Sequence, residues 1–198
     1  MIEAVLWDLG GVLCHFRPER RVAELARRSG CPRTIVDALL DRPLLDALDQ
    51  GELDGAGLHA RVRHQLDWDC SYDQLGTAWA AAFEPDHDVV RLAERVPRGS
   101  GLLTDNGPPL ADQFGRLLPD VARIVPVAVF SSEVGELKPH PRTFLAACQR
   151  LGSRPEGVLF VDDNQANVDG AREVGLEAVQ YTTIGALTTV LTAHGLLA

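Results

Sequence analysis

The sequence has almost no lysine, few cysteines and no long apolar run, and each shortage excludes some classes of protein or site. Of its 19 basic residues, 18 are arginines and only Lys138 is a lysine, which indicates either chance or a position that needs a compact point charge. No run of 18 apolar residues occurs, so we expect no transmembrane helix. The four cysteines, Cys14, Cys31, Cys70 and Cys148, form no Cys-x-x-Cys pair, which argues against a zinc site and favours free thiols in a cytoplasmic protein.

The charge balance points away from polyanionic partners. A net charge of −9 makes a nucleic acid or an anionic membrane an unfavourable partner. Residues 1–8 contain no basic segment and no small-residue cleavage site, so a secretory signal is not expected and the predicted localisation is cytoplasmic. The length of 198 residues fits one large domain, or one domain that carries an insertion, and we expect a monomer or a homodimer.

Short apolar runs alternate with helical patterns in two parts of the chain. The predicted strands cover residues 2–7, 100–103, 125–130, 158–161 and 178–181. The predicted helices between and after them cover residues 89–96, 110–118, 141–151, 165–174 and 184–194. Alternation of this kind predicts an α/β fold with a doubly wound parallel sheet.

The segment between the first two predicted strands has a different pattern. Turn signals divide it into about four predicted helices, at residues 18–29, 33–40, 58–66 and 72–83. The proline-containing stretches 14–18 and 84–88 are the expected hinges on either side of it. The sequence therefore predicts a helical insertion in the α/β domain.

Residues able to carry out phosphoryl chemistry follow the predicted strands. Asp8, Thr104, Asp162 and Asp163 lie where strands end, and Lys138 follows another strand end in a loop. Ligands of open parallel sheets bind at this edge, and an oxygen-only set of ligands suits magnesium. Each aspartate alone could be a helix N-cap, but capping does not account for the whole set. The set favours phosphoryl transfer, in which a carboxylate can act as the nucleophile.

Four motifs in this order resemble those of the haloacid dehalogenase superfamily. They are residues 6–13 (LWDLGGVL), 102–106 (LLTDN), 135–139 (GELKP) and 160–164 (FVDDN), the last continued by 167–171 (NVDGA). The resemblance covers nearly the whole chain and implies a Rossmann-type core at residues 1–15 and 87–198 with a four-helix cap at 16–86. Within the superfamily the sequence is most similar to the sugar-phosphatase group that includes alpha-D-glucose-1-phosphate phosphatase.

The resemblance implies a role for each motif residue. Asp8 is expected to be the nucleophile and a magnesium ligand, together with the backbone carbonyl of Gly10 and the carboxylate of Asp163. Asp162 is expected to be a further ligand or to support the others.

The expected substrate contacts complete this assignment. Thr104 and Lys138 are expected to hold the phosphoryl group, and Asn106 to contact the substrate. The implied activity is hydrolysis of a small phosphomonoester, such as a sugar phosphate, with Mg²⁺.

One residue departs from the pattern of the superfamily. Its phosphatases usually have a second aspartate two residues after the nucleophile, where this chain has Gly10. Loss of a positioned proton donor costs about 10²–10⁴ in rate. The alternatives are therefore a haloacid dehalogenase, which needs no magnesium, or a non-catalytic module that binds a phosphorylated ligand or a protein. A signalling receiver domain fits less well, because its motifs come in another order.

Two further predictions concern side chains just after the first motif. His15 is the nearest histidine to the nucleophile and is the first alternative proton donor. Arg17, Arg20 and Arg21 begin the insertion and are expected to lie on an exposed helix face, although they could also meet a phosphate group.

Overall fold

The computed structural model of the protein describes residues 1–96 and 99–197. Its strands are β1 (Ala4–Trp7), β2 (Cys14–Phe16), β3 (Phe83–Pro85), β4 (Gly99–Thr104), β5 (Val127–Phe130), β6 (Val158–Asp162) and β7 (Glu177–Gln180). Its helices are α1 (Pro18–Ser29), α2 (Arg33–Leu39), α3 (Arg42–Asp49), α4 (Gly55–Gln65), α5 (Tyr72–Ala80), α6 (His87–Glu94), α7 (Pro108–Ala111), α8 (Phe114–Leu117), α9 (Pro119–Ile124), α10 (Ser131–Val134), α11 (Pro141–Leu151), α12 (Gln165–Glu173) and α13 (Ile184–Ala193). None of these helices has the length and apolar character needed to cross a membrane.

Five parallel strands form the central sheet in the order β5-β4-β1-β6-β7. All four residues of β1 are buried, which explains its continuous apolar sequence. Trp7 at its end lies opposite Leu102 of β4 and Val161 of β6. The predicted α/β fold with a doubly wound parallel sheet is confirmed. Because β1 lies between β4 and β6, the motif residues that follow these three strands meet at one edge of the sheet.

The chain between β2 and β3 is helical, as predicted, but it contains five helices rather than about four. We call α1–α5 the helical insertion. The helix missing from the prediction is α3, whose N-cap Asp41 accepts a hydrogen bond from the backbone N–H of Leu44 at 2.9 Å. Only Leu44 and Leu48 of this short helix are buried, so its apolar pattern was too brief to detect. The division of the chain at residues 16 and 86 stays a prediction.

Paired strands occupy the segments predicted to be hinges. β2 and β3 form an antiparallel ribbon in which Phe16 lies opposite Phe83, with ring centroids 5.1 Å apart. The sequence analysis missed both strands, since three residues are too few for an alternating pattern. The insertion is therefore connected to the sheet through a hydrogen-bonded ribbon.

Close contacts join the helical insertion to the rest of the protein along a seam. A Cβ atom added to Gly107 would lie 2.9 Å from the backbone oxygen of Leu48, so backbone here approaches backbone. The Ser131 hydroxyl, just after β5, donates a hydrogen bond to the backbone oxygen of Asp49 at 2.6 Å. Tyr72 of the insertion donates a hydrogen bond to Asp112 at 2.7 Å. These contacts fix α3 and α5 against the sheet domain.

The predicted helix at residues 110–118 is wrong in detail. The structure has two short helices there, α7 and α8, and adds α9, which begins at Pro119. The backbone leaves helical geometry at Gln113 and Leu118, where φ is −127° and −132°. The apolar pattern continues through these breaks, because Leu110, Phe114 and Leu118 are all buried, and this explains the error.

Candidate active site

A buried lysine links two carboxylates at the carboxyl edge of the sheet. The ammonium nitrogen of Lys138 donates hydrogen bonds to Asp8 Oδ1 at 2.6 Å and to Asp162 Oδ2 at 2.8 Å. A third, longer bond of 3.3 Å reaches the backbone oxygen of Leu103. The Lys138 side chain is 2% exposed, so the three hydrogen bonds form away from water. The compact ammonium group is thus surrounded by acceptors from β1, β4 and β6.

Burial and charge act against each other in this cluster. Burial raises the pKa of Asp8, while Lys138 lowers it and Asp162 raises it, and the net change is upward. Burial lowers the pKa of Lys138, but the neighbouring carboxylates of Asp8, Asp162 and Asp105 raise it further, so the ammonium form is favoured. Two buried carboxylates share one ammonium group, which leaves net negative charge at this edge.

Three carboxylates lie close enough to bind one cation. Asp8, Asp162 and Asp163 each offer an oxygen, and these oxygens all lie within 4.8 Å of one another. Gly11 has a φ of +88°, and a Cβ atom there would lie 2.2 Å from Asp163 Oδ2, so only glycine leaves room for this carboxylate. Hard oxygen ligands together with net negative charge fit Mg²⁺.

The aspartates of this cluster differ in their hydrogen bonding. Both Asp162 oxygens accept bonds from the Asn167 side chain, at 3.2 and 3.1 Å, and Oδ1 also accepts from the backbone N–H of Asn164 at 2.8 Å. Within the described ranges, no other residue donates a hydrogen bond to the carboxylate of Asp163, which is exposed. Burial of part of the side chain raises the pKa of Asp163. Asp163 therefore has oxygens available to a cation, whereas Asp162 is held in place by protein donors.

The second motif adds a buried hydroxyl and supports the lysine loop. Thr104 is 1% exposed, and its Oγ1 accepts a hydrogen bond from the Asn106 side chain at 2.7 Å. The Asp105 carboxylate accepts a bond from the backbone N–H of Lys138 at 3.0 Å. Thus the end of β4 positions the loop that carries the lysine. The structure brings together all of the side chains that the motifs predicted, and Gly10 lies among them.

A cavity of about 640 Å³ lies between this edge of the sheet and the helical insertion, a volume typical of small-molecule sites. We call the sheet side of the cavity, together with the buried Asp162 behind it, the floor; its lining includes Asp8, Gly10, Thr104, Asn106, Lys138 and Asp163. The insertion side, which we call the roof, carries four charged residues, Arg21, Arg42, Asp46 and Asp49. A ligand on the floor would therefore meet side chains of the insertion.

The prediction for the three arginines is right for two of them and wrong for Arg21. Arg17 and Arg20 are exposed, and Arg20 pairs with Glu84 at 2.6 Å. Arg21 is 6% exposed, and its guanidinium carbon lies 4.0 Å from the centroid of a Trp79 ring. Its spacing of four residues from the buried Leu25 was the sequence signal that this side chain faces inward.

The alternative proton donor, His15, lies outside the cavity. His15 is exposed, lies 3.7 Å from Asp86 in the ribbon and is absent from the cavity lining. Other residues at the site, Asn167 and Asp105, were part of the quoted motifs but received no role. Asp49 had no signal at all, because it reaches the cavity only through the unpredicted helix α3.

Comparison with known proteins identifies the family. A profile of haloacid dehalogenase-like hydrolases matches residues 2–175. The chain belongs to this family. The hydrolase is 33% identical over 122 residues to phosphoglycolate phosphatase of Salmonella typhimurium. The aligned region covers 62% of this chain and 48% of that protein. It is 26% identical over 187 residues to phosphoglycolate phosphatase of Xylella fastidiosa, across 89% of this chain and 79% of that one.

Solved structures agree with the fold of this hydrolase. A haloacid dehalogenase family enzyme of Bacteroides thetaiotaomicron, determined with magnesium and inorganic phosphate, superposes with a TM-score of 0.72. The match covers 94% of this chain and 99% of that one at 22% identity. The hydrolase spans about half of the Salmonella relative, 48%, so the activity of that whole protein does not transfer by length alone.

Proposed function

We propose that this hydrolase is a magnesium-dependent phosphatase that cleaves a small phosphomonoester through an aspartyl-phosphate on Asp8. The observation that carries the proposal is the position of Lys138 between Asp8 and Asp162, with the exposed carboxylate of Asp163 beside them. The phosphatase names of the two relatives and the magnesium and phosphate in the Bacteroides enzyme support the same reaction.

The residues of the floor divide the work. A carboxylate oxygen of Asp8 attacks phosphorus, the bond from phosphorus to the ester oxygen breaks, and the released alkoxide takes up a proton from solvent water. A water molecule then attacks the same phosphorus, the bond from phosphorus to the Asp8 oxygen breaks, and inorganic phosphate leaves while the proton of the attacking water returns to solvent or phosphate, which regenerates the Asp8 carboxylate. Lys138 and Thr104 hold phosphoryl oxygens, and Lys138 keeps the Asp8 carboxylate oriented through its 2.6 Å bond. Asp8, Asp163 and the Gly10 carbonyl would hold Mg²⁺, with Asp162 as support, and the ion would neutralise phosphoryl charge.

Gly10 offers no proton to the leaving group. Esters whose leaving groups are weak bases, such as acyl and aryl phosphates, are therefore expected to react faster than primary alkyl phosphates. A Cβ atom at Gly10 would lie 3.2 Å from Cβ of Phe16, so an aspartate there requires a small shift of β2.

Hydrolysis of acetyl phosphate and p-nitrophenyl phosphate, measured with and without magnesium, tests the proposal. We expect magnesium-dependent turnover that Asp8→Asn reduces by roughly 10³-fold or more, because the amide is a poor nucleophile. The matched control is Asp37→Asn, which alters an exposed aspartate on α2 and should leave turnover unchanged.

Each contrary result has a distinct meaning. Substantial turnover by Asp8→Asn would exclude the covalent mechanism. Metal-independent release of halide from a 2-haloacid, without hydrolysis of either phosphate, would favour the dehalogenase. Absence of turnover on all of these compounds would favour a binding module.

A further inference from the structure

Two charged side chains on the roof lack the partners that the others have. Arg42 and Asp46 pair with each other at 2.7 Å. In the part of the chain that the structure describes, neither a hydrogen bond nor an ion pair reaches the carboxylate of Asp49. The Nη2 atom of Arg21 is buried without a hydrogen-bond partner. The roof therefore offers one unsatisfied donor and one unsatisfied acceptor.

The position of Arg21 is fixed although its charge is not balanced. Its Nε donates a hydrogen bond to the backbone oxygen of Trp79 at 3.1 Å, and its guanidinium group stacks on the Trp79 ring. Burial lowers the pKa of Arg21 to about 10, and Asp49 raises it, so the group stays charged at neutral pH. A buried donor without an acceptor has lost its hydrogen bonds to water and gained none in return. A ligand acceptor would remove that loss.

Asp49 lies on the roof at the end of α3, and a hydrogen bond across the seam fixes its backbone. The Ser131 hydroxyl bonds its backbone oxygen and thereby ties the end of α3 to the end of β5. Burial raises the pKa of Asp49 to about 7, against a lowering by Arg21. Arg21 and Asp49 both line the cavity, and no ion pair joins their side chains, so both face a ligand bound there.

The surroundings of this pair are aromatic. Phe16 and Phe83, both lining the cavity, have ring centroids 5.9 to 6.0 Å from the Arg21 guanidinium carbon. Phe16 is 48% exposed, so part of its side chain is available to a ligand in the cavity. Aromatic faces next to a polar donor and acceptor suit the C–H faces and hydroxyls of a polyol or sugar.

We propose that Arg21 and Asp49 form a subsite for the hydroxylated leaving group of the substrate, a polyol or sugar carried by the phosphoryl group. Hydroxyls accept a hydrogen bond from a guanidinium and donate one to a carboxylate, so a polyhydroxylated leaving group satisfies both side chains. This inference rests on the proposed phosphatase function and adds the class of its substrate.

A substrate that carries a carboxylate in addition to its phosphoryl group fits the roof less well. It would gain Arg21 as a partner but would be repelled by Asp49 and Asp46 in a cavity whose floor already holds an anionic phosphoryl group. A substrate of the phosphoglycolate type is therefore the competing outcome, and the experiment must compare it directly.

Steady-state kinetics with four esters separate these possibilities. The esters are glycerol 3-phosphate, glucose 6-phosphate, 2-phosphoglycolate and n-propyl phosphate, each measured with saturating magnesium. We expect the wild-type protein to prefer the two hydroxylated esters over n-propyl phosphate by about 10- to 100-fold in kcat/KM. In Arg21→Met, which keeps the apolar stem, that preference should fall to within about 3-fold. Asp49→Ala should reduce the same preference independently.

Arg27→Met is the matched control, since this exposed arginine of the same helix, α1, pairs with Glu24 outside the cavity lining. It should retain the wild-type preference.

An equal loss for all four esters in Arg21→Met, with a wild-type preference in Asp49→Ala, would show that Arg21 only supports the fold and would overturn the subsite. A wild-type preference for 2-phosphoglycolate that Arg21→Met abolishes would assign a carboxylate site instead. If Arg21→Met does not fold, the preference of Asp49→Ala decides. Because n-propyl phosphate needs only the floor, turnover of this ester in every variant keeps the proposed phosphatase function distinguishable from the subsite.

Discussion

The floor and the roof of the cavity differ in how completely their polar groups are satisfied. On the floor, Lys138 has three acceptors and Asp162 has bonds to both oxygens. On the roof, Arg21 leaves a buried nitrogen without a partner. A preorganised floor suits chemistry that is the same for every substrate, because its donors need no rearrangement during reaction. An unsatisfied roof suits recognition, because a ligand completes its hydrogen bonds.

Among the three variants that compare floor and roof, Lys138→Arg should disrupt the floor and have the largest effect. The planar guanidinium is wider than the ammonium group and cannot take the same place between Asp8 and Asp162. We expect kcat/KM to fall by about 10²–10³ even though the charge is kept. Steady-state kinetics on acetyl phosphate give the measurement, with Arg142→Lys on the surface as a control. Wild-type kinetics in Lys138→Arg would mean that the use of a single lysine in this chain is accidental.

Asp163→Ala should sharpen the distinction between the aspartates of the floor. This exposed carboxylate has free oxygens, so we expect its loss to weaken magnesium binding by about 10- to 100-fold. Titration calorimetry with Mg²⁺ alone measures the change without reference to turnover. Asp169→Ala, which removes an exposed acid of α12 outside the cluster, should bind magnesium normally. Unchanged affinity in Asp163→Ala would place the cation elsewhere.

Gly107→Ala should loosen the roof from the floor and have the smallest effect. The added Cβ atom would meet the Leu48 backbone at 2.9 Å, which forces α3 away from the sheet domain. We expect the free energy of unfolding to fall by about 1–3 kcal/mol, seen as a lower melting temperature. Gly115→Ala, where a Cβ atom meets nothing within 4 Å, should be neutral or stabilising because alanine favours the helix. Equal melting temperatures for the two variants would show that the seam adapts without cost.

The sequence predicted the floor far better than the roof, for a physical reason. Asp8, Thr104 and Asp162 of the floor end or directly follow strands of continuous apolar sequence, and parallel strands bring their carboxyl ends to one edge. That geometry is local, so Asp8, Thr104 and Asp162 were placed without any knowledge of packing. The roof depends on how the helices of the insertion pack over the sheet. Asp49 lies on a helix of eight residues whose position is set by Ser131, 82 residues away.

Arg21 illustrates the same limit within a helix that was predicted correctly. The bounds of α1, Pro18–Ser29, agree with the prediction, yet the burial of one arginine among several was not foreseen. Arginine is rarely buried, and only the presence of Trp79 beneath it makes this place favourable. Secondary structure follows from the local sequence pattern, whereas the burial or exposure of a long charged side chain depends on which residues pack against it.

The single lysine also makes chemical labelling a direct measure of how often the buried ion cluster opens. Apart from the chain terminus, Lys138 carries the one primary amine in the sequence, and its side chain is 2% exposed beneath the cavity. An amine-selective acylating reagent can therefore label a side chain only in molecules whose buried ion cluster has become accessible. The yield of the labelled peptide that contains Lys138, measured by mass spectrometry after digestion, reports the fraction of open molecules, with no background from other side-chain amines.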